Sequence, residues 1–215
     1  MKLPVILSLL LITSVEATFA QNAYVRLGRQ SFMDGDFKAA IQQLEKGCMK
    51  DSSDVEALWM LGYSYYHSDN YKKSITAYTK VISIRPTDAS AYYYRARAKA
   101  YMAKDNQLPY ADKERYMLGA IFDFTKAIEI NTDPTDTKLY QNRAIAYQDY
   151  AVFKLQQIPH VYDKARSINS LKASISDFEK VLSIDASRSD IISLMDVSKA
   201  KLSDISGTAA VVAHH

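Results

Sequence analysis

Residues 71–80 read Tyr-Lys-Lys-Ser-Ile-Thr-Ala-Tyr-Thr-Lys, and the same pattern occurs at three other places in the chain. It consists of a bulky residue, a small residue followed by Ile, then Leu or an aromatic residue, and a closing Lys. The other copies begin at Phe37, Met117 and Leu171. Apolar residues three and four positions apart form one face of an α-helix. A helical segment that recurs in this way predicts a stack of similar units with a shared core.

A second helical pattern precedes each copy. It has a bulky residue at its fourth and seventh positions and Gly or Ala at its eighth. The four small residues are Gly28, Gly62, Ala96 and Ala144. A small residue lets two helices approach closely, while bulky neighbours fill the space beside it. Each pair of patterns therefore predicts an antiparallel helical hairpin, with turns at residues 34–36 and 68–70 and a helix cap at residues 87–88.

The spacing of the repeats resembles that of a known family. The equivalent residues Leu44, Tyr78, Phe124 and Phe178 are separated by 34, 46 and 54 residues. The first separation is the period of tetratricopeptide repeats (TPRs). The resemblance covers residues 21–186 and is best in the second repeat, which has Leu61, Gly62, Tyr65, Tyr71, Tyr78 and Pro86. Departures are Ser74 and Ser174 in place of the family's Ala, and Ser52, Thr132 and Ala186 in place of its closing Pro.

The resemblance implies an all-α fold, an α-solenoid of about four TPR hairpins plus a C-terminal capping helix. We place one TPR domain at residues 21–206, with repeats at about 21–54, 55–88, 89–134 and 137–186 and a capping helix at 188–206. We expect residues 207–215 to be disordered. The third and fourth repeats carry insertions near 104–114 and 149–167. We expect these to protrude, either as tolerated insertions without a role or as a contact arm for a partner.

The N-terminal residues 1–20 have the pattern of a secretory signal peptide. A basic start at Lys2 precedes an apolar run from Leu3 to Val15, and small residues lead to a predicted cleavage after Ala20. The alternative is an uncleaved membrane anchor. No later apolar run of the sequence is long enough to cross a bilayer. We therefore predict an exported protein of the bacterial periplasm, with secretion as a second possibility.

The charge and the single cysteine limit the classes of function. The formal net charge is +3, without a dense run of Lys and Arg, which disfavours nucleic-acid binding. Cys48 is the only cysteine, so packing alone must hold the fold together. We expect a buried thiol, and the alternative is an intermolecular bridge.

The sequence has no pattern typical of a catalytic or metal site. Its histidines do not form a metal-binding spacing, and it has neither a nucleophile elbow nor a phosphate-binding glycine loop. Acidic residues are expected as helix caps and on solvated faces. We therefore predict a protein that is not an enzyme, with no catalytic residues, no metal and no cofactor.

The family resemblance implies a binding groove lined by the first helix of each repeat. The candidate residues that carry over to this chain are Arg29, Phe32, Trp59, Tyr63, Tyr66, His67, Tyr93, Arg97 and Tyr101. Aromatic anchors beside Arg are typical of peptide-binding hot spots. The alternative is that these aromatic residues pack against neighbouring helices.

The predicted function is a non-catalytic adaptor or scaffold of the bacterial cell envelope that binds a protein or peptide partner in the groove. The first alternative is a self-associating structural component of an envelope complex, which would be a homo-oligomer. The second is a non-catalytic subunit of an enzyme assembly.

Overall fold

The computed structural model describes residues 23–207, in which the regular structure is entirely α-helical. The helices span residues 23–33 (α1), Phe37–Lys50 (α2), Val55–His67 (α3), Tyr71–Ile84 (α4), Ala89–Met102 (α5), Tyr110–Ile130 (α6), Thr137–Lys154 (α7), Lys164–Ile184 (α8) and Ser189–Ser206 (α9). The prediction of an all-α chain of helical hairpins is thus confirmed. The predicted signal peptide and residues 208–215 of the predicted tail lie outside the described residues.

The chain consists of two compact units, with the boundary between Thr87 and Asp88. The first unit contains α1 to α4, and the second contains α5 to α9. Among residues 23–207, none of the helices is both long and apolar enough to cross a membrane.

In the first unit, glycines allow the paired helices to approach closely. A Cβ atom added to Gly28 of α1 would lie 2.6 Å from Cγ of Leu44 in α2. A Cβ atom added to Gly62 of α3 would lie 3.0 Å from the ring of Tyr78 in α4. Leu44 and Tyr78 are fully buried. The small eighth position of the first helix therefore makes room for the bulky residue of the second, as the sequence pattern predicts.

In the second unit, α5 pairs with α6 and α7 pairs with α8. Alanines occupy the small positions, and Ala96 and Ala144 are fully buried. The last helix, α9, packs on α8 and buries Ile191 and Met195 in a cluster with Phe178. This is the position expected for the capping helix.

Acidic residues begin most of these helices. In α2, α3, α5 and α8, an Asp side chain accepts a hydrogen bond from the backbone N–H three residues later; the four are Asp36, Asp54, Asp88 and Asp163. Such caps satisfy a backbone donor that has no partner within the helix. The predicted cap at residues 87–88 is therefore Asp88.

The two insertions lengthen three helices and pack on each other. A loop at residues 103–109 leads into α6, so residues 110–114 of the first insertion are helical. In the second, α7 continues to Lys154, and Asp163 caps α8 after a connection that contains Pro159. The inserted segments are joined to the hairpin core and do not form a separate body. Their apolar side chains, including Phe153 and Val161, are buried in one cluster with the hairpin core.

Candidate functional site

Five aromatic side chains of the first unit form a continuous surface cluster, which we call the aromatic patch. They are Phe32, Phe37, Trp59, Tyr63 and His67. The Trp59 ring stacks on Tyr63 with centroids 5.5 Å apart, and Tyr63 lies 4.3 Å from the His67 ring. Phe32 contacts both Trp59 and Tyr63 edge-on, at 6.4 and 5.4 Å. Offset and edge-on contacts between rings stabilise such a cluster beyond simple burial.

The aromatic patch is partly open to solvent. Trp59 and Tyr63 are half-buried, and His67 at the end of α3 is exposed. Trp59 and Phe32 also pack against the core below them, so the rings are held in place. Fixed aromatic surfaces lose little conformational entropy when a partner covers them.

The structure places the other predicted residues of this unit differently. Arg29 is exposed on α1. Tyr66 is only 6% exposed, so its prediction as a groove residue is wrong. Its ring lies edge-on to Tyr71, 5.8 Å away across the turn between α3 and α4. The twelfth position of this first helix therefore contributes to the hairpin interior.

The second unit presents Tyr93, Arg97 and Tyr101 along α5. The guanidinium of Arg97 lies 5.6 Å from the Tyr93 ring, within the range of a cation–π contact. Tyr93 is half-buried against Phe124, at 6.0 Å, and Tyr101 is 43% exposed. The three side chains follow one another at intervals of four residues, which places them on one side of the helix.

Two clefts lie along α7 in the second unit. The first, which we call the inner cleft, has a volume of about 180 Å³ and is lined by Arg97, Ala100, Tyr101, Lys104, Phe124, Asn142, Ile145, Ala146 and Asp149. The second, which we call the arm cleft, has a volume of about 330 Å³. It is lined by Ala103, Lys104, Asn106, Lys113, Met117, Asp149, Val152, Phe153 and Gln156. Lys104 and Asp149 belong to both clefts, so the two are continuous.

Asp149 is the only acidic residue that lines either cleft. Burial raises the pKa of its carboxyl, and Lys104 opposes this shift. The Lys104 Nζ lies 3.9 Å from a carboxylate oxygen of Asp149, which is beyond hydrogen-bond range. The pair is therefore loose, and the Lys104 side chain is 63% exposed.

A buried ion-pair network joins α5 and α6. Asp123 is fully buried and accepts hydrogen bonds from Arg95 Nε and Nη2 at 2.8 and 2.7 Å. The Lys99 Nζ donates to the same carboxylate at 2.7 Å. Desolvation lowers the pKa of Lys99, although Asp123 opposes the shift. Because two cations share one buried anion, the network depends on the carboxylate of Asp123.

The next hairpin repeats this arrangement. Arg143 of α7 forms a bidentate pair with Asp177 of α8, at 2.7 Å for both bonds. Its Nη1 also donates to Oγ1 of Thr125 on α6, at 3.1 Å. Arg143 therefore ties three successive helices together. The expectation that acidic residues serve only as caps or on solvated faces is wrong for Asp123 and Asp177.

The inserted segments are held by a second network around Glu114. Its carboxylate accepts hydrogen bonds from the Tyr150 hydroxyl at 2.8 Å and from Lys154 Nζ at 3.2 Å. Arg166 of α8 lies 3.5 Å away from the same oxygen. Lys154 is only 4% exposed, so this anchor is largely shielded from water. It explains why the extended ends of α6, α7 and α8 remain together.

Residues 23–207 contain no group of three or more His, Cys, Asp or Glu side chains able to hold a metal ion. Cys48 is half-buried, and burial raises the pKa of its thiol to about 11, which suppresses the reactive thiolate at neutral pH. A slow-reacting thiol agrees with the interpretation of Cys48 as a packing residue.

The ion pairs were detectable in the sequence. Arg occupies the seventh position of the first helix only in the third and fourth repeats, as Arg95 and Arg143. In the same two repeats, Asp123 and Asp177 come directly before Phe124 and Phe178, the equivalent aromatic residues of the second helices. Two residues that change together between repeats of one chain indicate a contact. The arm cleft could not be found in this way, because insertions have no counterpart in the other repeats.

Comparisons with known proteins agree with this architecture. A family model of the tetratricopeptide repeat matches residues 55–88. A crystal structure of MamA is 21% identical, covers 85% of this chain and 89% of its own, and has a TM-score of 0.62. A second MamA structure is 14% identical, with coverage of 88% and 91% and a TM-score of 0.64.

The structure of another TPR protein has a similar fold. The C-terminal part of a TPR repeat-containing protein from Cytophaga hutchinsonii is 22% identical, with coverage of 83% of this chain and 61% of that chain and a TM-score of 0.55. No curated protein matches the chain in sequence. At these identities the structures define the fold, and the match at residues 55–88 defines the repeat. On this evidence, residues 55–88 form a tetratricopeptide repeat, and the chain is similar in fold to TPR proteins.

Proposed function

We propose that this chain is a non-catalytic adaptor that binds a peptide or a segment of a partner protein on the first-helix faces of its hairpins. The observation that carries the proposal is the aromatic patch. Its rings are braced by the core yet partly solvent-accessible, which is the arrangement of an interaction hot spot. Stacked helical repeats supply extended binding surfaces for partner proteins.

The second unit supports the same function. Tyr101 and Arg97 line the inner cleft, where an aromatic ring and a guanidinium lie on adjacent turns of α5. Arg donates in a fixed fork that suits carboxylates and backbone carbonyls, while Tyr supplies apolar area. A partner segment would therefore find apolar and polar contacts side by side.

Affinity capture from envelope extracts tests the adaptor function. We expect Trp59→Ala and Tyr93→Ala each to weaken partner binding by about 2 kcal/mol. Wild type, the double variant and the control Tyr162→Ala would be used as bait, followed by mass spectrometry. Tyr162 is 46% exposed and lines neither cleft. Identical sets of captured proteins for wild type and the double variant would reject the proposed surface.

The cellular location is part of the proposal. The basic, apolar and small-residue pattern of residues 1–20 supports export to the bacterial envelope, where the adaptor would help to assemble a larger complex. An alkaline phosphatase fusion to the full chain should be active outside the cytoplasm. Activity that is absent unless a foreign signal peptide is added would refute export.

Self-association is the second candidate function. The terminal helix α9 leaves Ile192 and Val197 exposed, at 40% and 46%, on the sides away from its buried Ile191. Exposed apolar side chains on a terminal helix suit contact with a second copy. Light scattering over a range of concentrations distinguishes the two candidates, because a strict monomer excludes the self-associating one.

A further inference from the structure

The arm cleft is built mainly from the inserted segments, and none of the candidate groove residues that the family resemblance implies lines it. Its walls come from the loop after α5, the added turns of α6 and the end of α7. We propose that this cleft binds a short, extended, acidic segment of a partner protein. The proposal rests on the adaptor function in requiring a protein partner, but it does not depend on the aromatic patch.

The charge of the arm cleft favours an acidic occupant. Lys104 and Lys113 line it, and Asp149 is the one acidic residue opposite them. Lys113 makes no ion pair with any residue between 23 and 207; its Nζ lies 5.9 Å from the Tyr110 ring. Lys104 reaches Asp149 only at 3.9 Å. Both ammonium groups can therefore donate hydrogen bonds to a partner's carboxylate without breaking a strong existing pair.

The floor of the arm cleft is apolar. Phe153 and Ala103 form its buried part, at 3% and 4% exposure, and Met117 is half-buried beside them. Val152 remains 40% exposed at the edge. An apolar floor between basic side chains suits a segment in which apolar and acidic residues alternate, since successive side chains of an extended chain point to opposite sides.

Two amide side chains can fix the backbone of such a segment. Asn106 and Gln156 line the arm cleft, and their side-chain amides make no hydrogen bond within the described residues. An amide offers both donors and an acceptor, which matches the N–H and C=O groups of an extended peptide. Hydrogen bonds from these amides to a peptide backbone do not depend on the peptide's sequence. The two lysines and the apolar floor would therefore determine which peptides bind.

Hydrogen bonds hold two walls of the arm cleft together. Glu114 links the α6 wall to α7 through Tyr150 and Lys154. A volume of about 330 Å³ is near the lower end of the roughly 300–1,000 Å³ of ordinary ligand pockets, so a few residues fill it. A preformed site of this size saves the ordering cost that a flexible arm would incur on binding.

Panning of a random heptapeptide library displayed on phage tests the proposal without knowledge of the partner. The targets are the full chain, its Lys104→Gln/Lys113→Gln variant and its Trp59→Ala variant. A matched control, Lys172→Gln/Lys180→Gln, removes two exposed lysines from α8. Circular dichroism establishes that each target is folded. A Lys104→Arg/Lys113→Arg variant separates the loss of charge from the loss of packing.

We expect wild type and the α8 control to enrich peptides with several Asp or Glu residues interspersed with apolar ones. The Lys104→Gln/Lys113→Gln variant should bind the enriched peptides at least ten-fold more weakly, and the arginine variant should retain them. Binding should also weaken as salt concentration rises. Trp59→Ala should leave this class of peptides unaffected.

Several results would overturn the proposal. These are enrichment of neutral or basic peptides, equal enrichment with the Lys104→Gln/Lys113→Gln variant, and the absence of any binder above a protein-free surface. Basic peptides would mean that Asp149, not the lysines, governs the cleft. If Trp59→Ala alone abolishes binding of the enriched peptides, they bind at the aromatic patch and not in the arm cleft.

If only the Lys104→Gln/Lys113→Gln variant abolishes binding, the peptides bind in the arm cleft, whether or not the aromatic patch also binds a partner.

Discussion

The hairpin α3–α4 and the hairpins α5–α6 and α7–α8 solve the same packing problem with different chemistry. At two equivalent positions, the first hairpin has the buried apolar pair Leu61 and Ala77. The other two hairpins have the ion pairs Arg95 with Asp123 and Arg143 with Asp177 at these positions. The fold therefore does not require either solution. An apolar pair needs only the right volume, whereas a buried ion pair must also satisfy its geometry.

The two units also place their accessory charges differently. In the first, Glu45 accepts hydrogen bonds from the Tyr65 hydroxyl and from Lys73, and joins α2, α3 and α4 at the surface. The side chains of Lys73 and Glu45 are 55% and 39% exposed. In the second, Glu114 holds the nearly buried Lys154. Solvated pairs contribute little to stability, so the difference predicts unequal sensitivity to mutation.

The largest expected effect is that of Asp123→Ala. The substitution leaves Arg95 and Lys99, whose side chains are 12% and 19% exposed, without their shared anion. Loss of one partner from a buried ion pair costs about 3–5 kcal/mol. Urea unfolding should show this loss. A triple variant, Arg95→Leu/Lys99→Met/Asp123→Ala, imitates the apolar hairpin and should recover most of it. A loss below about 1 kcal/mol for Asp123→Ala would contradict the buried network.

Gly28→Ala should have the next largest effect. The added Cβ atom would lie 2.6 Å from Leu44 Cγ, so α1 and α2 must separate or Leu44 must move. Such overpacking costs about 1–3 kcal/mol. The control is Gly119→Ala, where the nearest atoms belong to the flexible side chain of Lys99, at 3.2 Å. Equal unfolding free energies for Gly28→Ala and wild type would contradict the close packing of α1 on α2.

The sequence predicted the hairpins because their spacing and small residues are repeated, but it did not predict every contact. Gly28 and Gly62 are visible in the pattern and act as expected. The partners of Arg95 and Arg143 lie 28 and 34 positions further along the chain, so they are found only when equivalent positions of the repeats are compared. The packing of the insertions depends on Glu114, whose partners come from two other helices. Contacts of that kind have no periodic signal.

Site residues at positions that recur from repeat to repeat could also be predicted from the sequence. Trp59 and Tyr63 are brought together as stacked rings, because positions four residues apart share a helix face. Tyr66 could not be assigned correctly in advance, since its burial depends on how the turn places Tyr71. Phe37 was not predicted as a patch residue, because it belongs to a second helix; its contact with Tyr63 arises from tertiary packing.

A smaller effect on stability is expected from the carboxyl groups of Glu45 in the first unit and Asp149 in the second, and the two effects have opposite signs. The hydrogen bonds from Tyr65 and then from Lys73 lower the pKa of Glu45, so its contribution to stability is present at neutral pH and is lost as the pH falls through the folded-state value. Burial raises the pKa of Asp149, so its ionisation destabilises the fold at neutral pH, and this penalty disappears in acid.

Thermal melts over a pH series compare the two groups. Glu45→Gln should lower the melting temperature at neutral pH, and Asp149→Asn should raise it, each by less than the equivalent of about 1 kcal/mol because both groups are partly solvated. Both differences should shrink in acid. Shifts of the same sign at neutral pH would refute the assigned environments.

The fluorescence of Trp59 tests the adaptor function most directly, because it is the only tryptophan of the chain and lies in the aromatic patch. A tryptophan-free peptide from a partner whose capture is weakened by Trp59→Ala would be titrated into the full chain, with the affinity measured in parallel by calorimetry. We predict a saturable change in emission whose midpoint matches the calorimetric one. Binding in the calorimeter with unchanged Trp59 emission would contradict the account.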